Sequence, residues 1–325
     1  MKRALALLVA GSLSVLGAAS IAAVGPDLPP FGLGDFDRAE PIEITADQLE
    51  ARDDDGRRTL AFRRHVQVRQ GPLSLSSSTL SAVYVEGEQQ PRRLEARGDV
   101  QIQEGARRAA CDAAVYERAG RRIVCRGDPA QLWDGDDRLS GREIHFDLAR
   151  RSVRVVGGTR VEIHRDLDEA GLEALGDAEG EEVRERLLEG GPVTIASETL
   201  EASDPEGDLR RIHFEGGVEL RQGDIALRTA DLVALYPGEA TRPERLIARG
   251  DVVLIEAQRE ARCDRAEYTL EVRLVVCEGG AVLRDAGDRL EGDRIAFDFE
   301  TRQVDATGST RLTVQPRAPR EGGRP

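Results

Sequence analysis

The heptapeptide LEARGDV at residues 94–100 recurs as LIARGDV at residues 246–252, where six of the seven residues are identical. A longer stretch, residues 107–127, recurs as residues 259–279 with ten identical residues, and each version contains two cysteines. These matches keep one order along the chain and nearly one offset. The sequence therefore contains one structural unit written twice, and this duplication is the starting point for its fold.

Within each unit, hydrophobic residues alternate with polar ones over four to six residues, which is typical of strands with one buried face. The alternation is clear at Leu60, Phe62, Val66 and Val68, although Arg64 falls in the apolar register. Gly-Asp, Asp-Gly and Gly-Gly dipeptides separate the runs every eight to 12 residues. The pattern predicts an all-β chain of two tandem antiparallel units of the sandwich, jelly-roll or barrel type, at residues 41–165 and 191–316.

The N-terminus has the composition of a targeting segment. Lys2 and Arg3 precede 21 uncharged residues, Ala4 to Val24. We interpret residues 1–22 as a secretory signal peptide, with an uncleaved membrane anchor as the alternative, and residues 23–40 as a linker rich in proline and glycine. Both interpretations place the rest of the chain outside the cytoplasm.

The segment between the two units is strongly acidic. Residues 166–190 carry ten acidic residues and two basic ones, with leucine and valine pairs at helical spacing. We predict an acidic linker with short surface helices, and a disordered tail at residues 317–325. The whole chain has 60 acidic and 46 basic residues, a net charge of −14, and only 4% aromatic residues. This composition argues against nucleic acid as a partner.

Each unit also carries an ordered series of short motifs. In the first unit they are IEITADQLE (42–50), VQVRQG (66–71), LEARGDV (94–100), VY (115–116) and LSGREIHFD (139–147). The series resembles the OstA-like family of lipopolysaccharide transport proteins, of the LptA and LptC type, and covers about 125 residues twice. The resemblance implies a trough-like β-jelly roll whose interior holds acyl chains, in units that stack edge to edge.

The resemblance further implies a non-catalytic periplasmic carrier or bridge that moves lipopolysaccharide towards the outer membrane and needs no cofactor. Its partners would be the lipid A acyl chains and other β-jelly-roll transport components, with the inner membrane reached through the N-terminal segment. The alternative is an envelope scaffold with a dry β core that binds proteins through exposed sheet edges.

A lipid carrier needs a continuous apolar surface, because burying each methylene group contributes about 0.8 kcal/mol. The inward positions of the alternating runs are the candidates for this surface. They are Leu60, Phe62, Val66, Val68, Val100, Ile102, Ile144, Phe146, Ile212, Phe214, Val218, Leu220, Val252, Leu254, Ile295 and Phe297. The same pattern would also arise in a closed sandwich with a dry core.

The remaining reactive residues give no catalytic or metal-binding pattern. None of the four histidines lies in a known catalytic or ligand motif, and His65 and His145 are replaced by Gly217 and Ala296 in the second unit. The acidic stretch Asp134 to Asp137 is interpreted as a β-turn rather than a calcium loop. We therefore expect no enzymatic activity and no metal.

The cysteines are paired by position. Cys111 and Cys125 lie 14 residues apart, as do Cys263 and Cys277. Hairpins centred on Arg118 and on Leu270 would place the two members of each pair directly opposite one another. We predict a disulfide in each unit, as expected for an exported protein, with buried free thiols as the alternative.

Overall fold

The computed structural model describes residues 41–88, 90–164, 191–203, 209–238, 240, 243–298, 301 and 303–315. The predicted signal segment, the linker at 23–40, the acidic linker and its helices at 166–190, and the tail at 317–325 lie outside the described residues. Within the described part of the chain, no helix is long and apolar enough to cross a membrane.

The first unit forms nine strands. They are β1 (Glu43–Thr45), β2 (Gln48–Asp54), β3 (Arg57–Gln70), β4 (Leu73–Val85), β5 (Arg93–Glu104), β6 (Arg107–Glu117), β7 (Arg122–Asp134), β8 (Asp137–Asp147) and β9 (Ser152–Ile163).

The second unit repeats this series. Its strands are β10 (Val193–Ser203), β11 (Leu209–Gln222), β12 (Ile225–Pro237), β13 (Arg245–Glu256), β14 (Arg259–Thr269), β15 (Leu274–Asp285), β16 (Asp288–Asp298), β17 (Gln303–Thr307) and β18 (Arg311–Thr313).

All 18 strands belong to one antiparallel sheet, in which the strands from β2 to β17 pair with their neighbours in sequence. Strands β1 and β2 both pair with β3, so they are two pieces of one broken edge strand, and β17 and β18 form the opposite edge against β16. The predicted antiparallel all-β fold is confirmed. The two units are not separate sheets, however, because β9 pairs with β10 along its whole length.

A row of β-bulges crosses the sheet near the middle of its strands. On alternate strands, two consecutive residues have positive φ angles; they are Arg64–His65, Gly98–Asp99, Gly157–Gly158, Gly216–Gly217, Gly250–Asp251, Gly279–Gly280 and Gly308–Ser309. Strand β7 is also bulged at the same place, where residues 127–129 face Arg142 of β8. Bulges bend and twist a strand. Because they are aligned, they form a line along which the sheet folds, here called the fold line.

The glycines in this row are required by close packing as well as by backbone conformation. Gly98 has a φ of 79°, and a Cβ atom on it would lie 2.6 Å from the Oγ of Ser78 on the neighbouring strand. Any other residue at position 98 would therefore be strained by its backbone conformation and by its contact with Ser78. The sequence prediction that Gly-Asp and Gly-Gly dipeptides are turns between strands is wrong for this row. Gly98–Asp99 and Gly250–Asp251 lie inside β5 and β13.

Hydroxyl groups satisfy backbone carbonyls at the fold line, where a bulge interrupts the regular ladder. The Oγ1 of Thr229 donates to the carbonyl of Arg249 at 2.7 Å, and the Oγ of Ser197 donates to the carbonyl of Thr199 at 2.8 Å. Both side chains are buried. The fold line thus has a polar lining beside the apolar core.

Candidate functional site

The fold line divides the sheet into two flaps that face each other across an apolar interior. The first flap carries the turns at 118–121 and 270–273, and the second flap carries the tight turns at 105–106 and 257–258. Buried residues from both flaps form one hydrophobic cluster that runs from Phe62 to Ile295. The interior between the flaps is therefore the candidate functional site.

The structure places all 16 sequence-predicted trough residues on the inner surface. Twelve belong to the buried cluster, and Leu60 and Val68 pack against it. The last two, Leu254 and Phe297, line a cavity in the second unit. Their inward orientation is a finding of the structure, whereas their contact with a lipid stays a prediction.

The interior is closely packed where the two units meet. Val155 and Val161 of β9 and Ile195 and Leu200 of β10 are each 0% exposed, so the join between the units is a dry core in this structure. Such packing matches the density of ordinary protein interiors. A ligand could pass this point along the trough only if the two flaps separated.

Near the C-terminal edge the flaps leave an apolar cavity of about 90 Å³. The first flap contributes Ala266, Val275, Cys277, Ile295 and Phe297 to its wall, and the second flap contributes Ile225, Leu254, Ala261 and Leu283. Several of these residues are only half-buried, whereas their counterparts in the first unit, such as Ile102, Ile123 and Leu132, are buried. The trough is therefore more open in the second unit than in the first.

Charged residues stand at the mouth of this cavity. Glu256 and Arg259 line it at the ends of β13 and β14, and the Nε of Arg259 lies 3.2 Å from a carboxylate oxygen of Asp285. The first unit has the same arrangement, with Arg107 at 3.3 Å from Asp134. An apolar wall with a charged rim can accept an amphipathic molecule, whose chains lie inside while its polar group stays at the rim.

Both predicted disulfides are present, and they lie on the inner surface. Cys111 is bonded to Cys125 and Cys263 to Cys277, with Cα–Cα distances of 5.9 and 5.8 Å. All four sulfurs belong to buried residues, and Cys277 is part of the cavity wall. In the chain-entropy model, a loop of this length contributes about 3 kcal/mol.

The register predicted for these cysteines is wrong. Ala114, not Cys111, lies opposite Cys125, and Ala266 lies opposite Cys277. The turn between β6 and β7 lies at residues 118–121, so this part of the hairpin is centred between residues 119 and 120 rather than on Arg118. Each disulfide consequently runs diagonally, from the fold line on one strand to the first flap on the next.

The outer surface carries rows of paired charges. Glu267 accepts hydrogen bonds from Arg245 and Arg265. Burial raises the pKa of Glu267, but the two guanidinium groups outweigh burial, so its pKa lies below the usual value. His145 pairs with Glu143 at 2.9 Å on the same surface. The turn predicted for the acidic stretch Asp134 to Asp137 is present and joins β7 to β8. These groups make a solvated outer face, opposite the apolar inner one.

Sequence reasoning missed several residues of the cavity. Val275 and Leu283 follow the same alternation as the predicted residues and could have been found by it. Glu256 and Arg259 gave no signal in the sequence, because charged residues at strand ends are common. The two residues lie opposite each other in one hairpin of the second flap, and the structure places this hairpin at the mouth of the cavity.

The chain matches a protein family model described as the LptA/(LptD N-terminal domain) LPS transport protein family, in two segments, residues 43–151 and 194–303. The chain belongs to this family. The two matched segments together span more than half of the sequence, and they follow the duplication seen in the strands.

The chain is also similar to a solved structure, that of LptH from Pseudomonas aeruginosa, described as the LptA homologous periplasmic component of the conserved lipopolysaccharide transport device. The two sequences are 22% identical, and the match covers 37% of this chain and 85% of that one with a TM-score of 0.32. No curated protein sequence matches the chain.

Proposed function

We propose that this protein is a periplasmic lipid carrier of lipopolysaccharide transport, which holds acyl chains between the two flaps of its folded sheet. The observation that carries the proposal is the apolar cavity of the second unit, whose wall comes from both flaps and whose mouth is charged. Acyl chains gain free energy from such a wall in proportion to the area that they bury. The family to which the chain belongs supports the same cargo.

The two disulfides support the proposed compartment, because disulfides persist in oxidising environments such as the periplasm. No step of the proposed function requires covalent chemistry. The cargo would be held by burial of its chains and by polar contacts at the rim, and it would be released when the flaps separate.

The edge strands support the proposed partners. Ile42 and Leu49 at the N-terminal edge and Leu312 and Val314 at the C-terminal edge are between 44% and 61% exposed. The outward backbone groups of these edges pair with no strand among the described residues, and they can add a strand from another β-jelly-roll protein. Stacking in this manner would extend the trough from one molecule to the next.

The test compares a charge on the cavity wall with the same charge on the outer face. Leu254 and its neighbour Val253 are both half-buried, but they point to opposite faces of β13. A photoreactive residue at Val275, on the facing flap, reports contact with lipopolysaccharide. Because a buried carboxylate costs several kcal/mol, we expect Leu254→Glu to lower crosslinking about tenfold or more.

Val253→Glu is the matched control, because Val253 lies opposite Arg228 and Arg262 on the charged outer face. It should crosslink as the unmodified protein does. Circular dichroism and thermal melting establish that both variants are folded. If both crosslink equally, the interior is an ordinary dry core, and the protein acts as an envelope scaffold through its sheet edges.

A further inference from the structure

The outer face of the first unit carries a tryptophan between two arginines. Trp133 of β7 lies beside Arg108 of β6 and Arg138 of β8 in the sheet register. The two guanidinium carbons are 5.5 and 5.7 Å from the centre of the indole ring, within the range of a cation–π contact. A stacked guanidinium keeps its in-plane N–H donors available for a carboxylate.

Neither arginine has a carboxylate within ion-pair distance among the described residues. The Nε of Arg138 is buried and has no hydrogen-bond partner there. Glu162 lies opposite Arg138 in the register, but it pairs with Arg160 at 3.9 Å. Both guanidinium groups thus stand together on one surface of a chain whose net charge is −14.

The second unit has a different surface at the equivalent place. Glu260 replaces Arg108, and Arg284 replaces Trp133. Arg284 donates to Glu260 at 2.9 Å, so this surface is neutralised by its own residues. The cation surface is therefore specific to the first unit and does not follow from the repeat.

The segment that follows each unit has the complementary charge. Residues 166–190 follow the first unit, with ten acidic residues against two basic ones. The tail that follows the second unit, residues 316–325, has three arginines and one glutamate. The acidic segment thus follows the unit whose outer surface carries Arg108 and Arg138. The basic tail follows the unit in which Glu260 replaces Arg108.

The acidic segment also starts in the right place. β9 ends at Ile163, and its residue Glu162 lies directly opposite Arg138. Arg108 is three strands from β9, about 14 Å at the usual strand spacing. About five extended residues cover that distance, so Asp168 and Glu169 are within reach of Arg108, and Asp166 is within reach of Arg138 on the adjacent strand.

We propose that Arg108, Trp133 and Arg138 form a docking surface for carboxylate-rich peptide, and that its occupant is the chain's own segment 166–190. Carboxylates of this segment pair with the two guanidinium groups, and the indole ring packs beneath them. This contact fixes the connection between the two units on the outer face, away from the trough. It is independent of the proposed lipid cargo.

The sequence allows a direct test, because Lys2 is its only lysine. In an Arg108→Lys variant of the full chain, a carbodiimide joins the new amine to whichever carboxylate touches it. We expect peptide mapping to find the crosslink to an acidic residue of segment 166–190. The matched control is Arg284→Lys, for which the expected crosslink is to Glu260.

A crosslink from position 108 only to carboxylates of the neighbouring strands would overturn the proposal. A crosslink between two molecules would also overturn it and would identify the surface as a contact between copies. Trp133 gives a second measurement, since it is the only tryptophan in the chain. In 1 M salt, where the Debye length is about 3 Å, its quenching by acrylamide should rise about twofold.

The salt response has its own control. Replacement of Asp166, Asp168, Glu169 and Glu173 by the corresponding amides should raise quenching in low salt to the same level and remove the salt dependence. An unchanged quenching constant in this variant would contradict docking of the segment, whatever its effect on folding measured by circular dichroism.

Discussion

Leu200 and Leu49 occupy the same position in the two units, yet one is 0% exposed and the other 61% exposed. Leu200 lies in β10, which pairs with β9 on one side and β11 on the other. Leu49 lies in β2, which among the described strands pairs only with β3. The difference in burial thus comes from the missing neighbour and not from the sequence of the strand.

The C-terminal edge shows the same contrast. Val161 in β9 is 0% exposed, whereas its counterpart Leu312 in β18 is 44% exposed. The edge strands are also broken in two, while β9 and β10 are each continuous. The join between the units therefore shows what each edge would become if another strand were added to it.

The largest difference is expected when the two leucines are truncated. Leu200→Ala should lower the free energy of unfolding by about 2–5 kcal/mol, since it leaves a cavity in a dry core. Leu49→Ala should change it by less than about 0.5 kcal/mol, as for other exposed positions. Chemical denaturation of both variants measures the contrast. Equal losses would show that the N-terminal edge is already covered in solution.

A smaller effect is expected on association between copies. At the join, Arg154 lies opposite Glu201, but the equivalent residues at two stacked edges would be Asp305 and Glu50. Opposite charges across strands contribute about 0.2–1 kcal/mol, and like charges oppose pairing. We expect Asp305→Arg to strengthen self-association up to about fivefold in sedimentation experiments, on the same energy scale.

Leu312→Glu serves as the opposing variant in that experiment. It places a charge on the apolar side of the C-terminal edge and should weaken self-association. If neither change alters the sedimentation of the protein, edge pairing between copies does not occur, and the edges are kept for other partners.

The last comparison concerns the bulges. Arg64 has a φ of 64°, and its counterpart Gly216 has a φ of 86°. Arg64→Gly should stabilise the protein by about 0.5 kcal/mol, because relief of the left-handed conformation exceeds the entropy lost on folding. Gly216→Ala should destabilise it by about 1–2 kcal/mol, since the new Cβ would lie 2.7 Å from that of Glu198. Thermal melting distinguishes the two; a fall in stability for Arg64→Gly would mean that its side chain has a structural role.

The sequence was sufficient to predict the strands and the inward residues, because each run of alternation lies on one side of the fold line. It was not sufficient to predict the strand lengths. In β4 the buried residues are Leu73 and Leu75 on one side of the fold line and Leu80 and Ala82 on the other, so the alternation changes phase at the fold line. Read from sequence, one bent strand resembles two short ones.

The error at the cysteines has a different cause, the position of the turn. Spacing predicts register only when the centre of the turn is placed correctly, and the pairs Ala114–Cys125 and Glu117–Arg122 centre this hairpin between residues 119 and 120. The predicted disulfides are nevertheless present, because both cysteines of each pair lie on the inner surface. The cavity could not be predicted in any form, since it depends on how far apart the flaps stand and not on which residues face them.

Because bulged and regular strands alternate along the whole sheet, the smallest insertion that preserves the fold line is a pair of strands. One added strand would bring two bulged strands together and reverse the direction of every strand after it. An added hairpin would lengthen the trough by about 9.6 Å and leave both edges as they are. Evolution can therefore adjust the span of such a protein in hairpin steps, and an even number of strand positions is expected in relatives of any length.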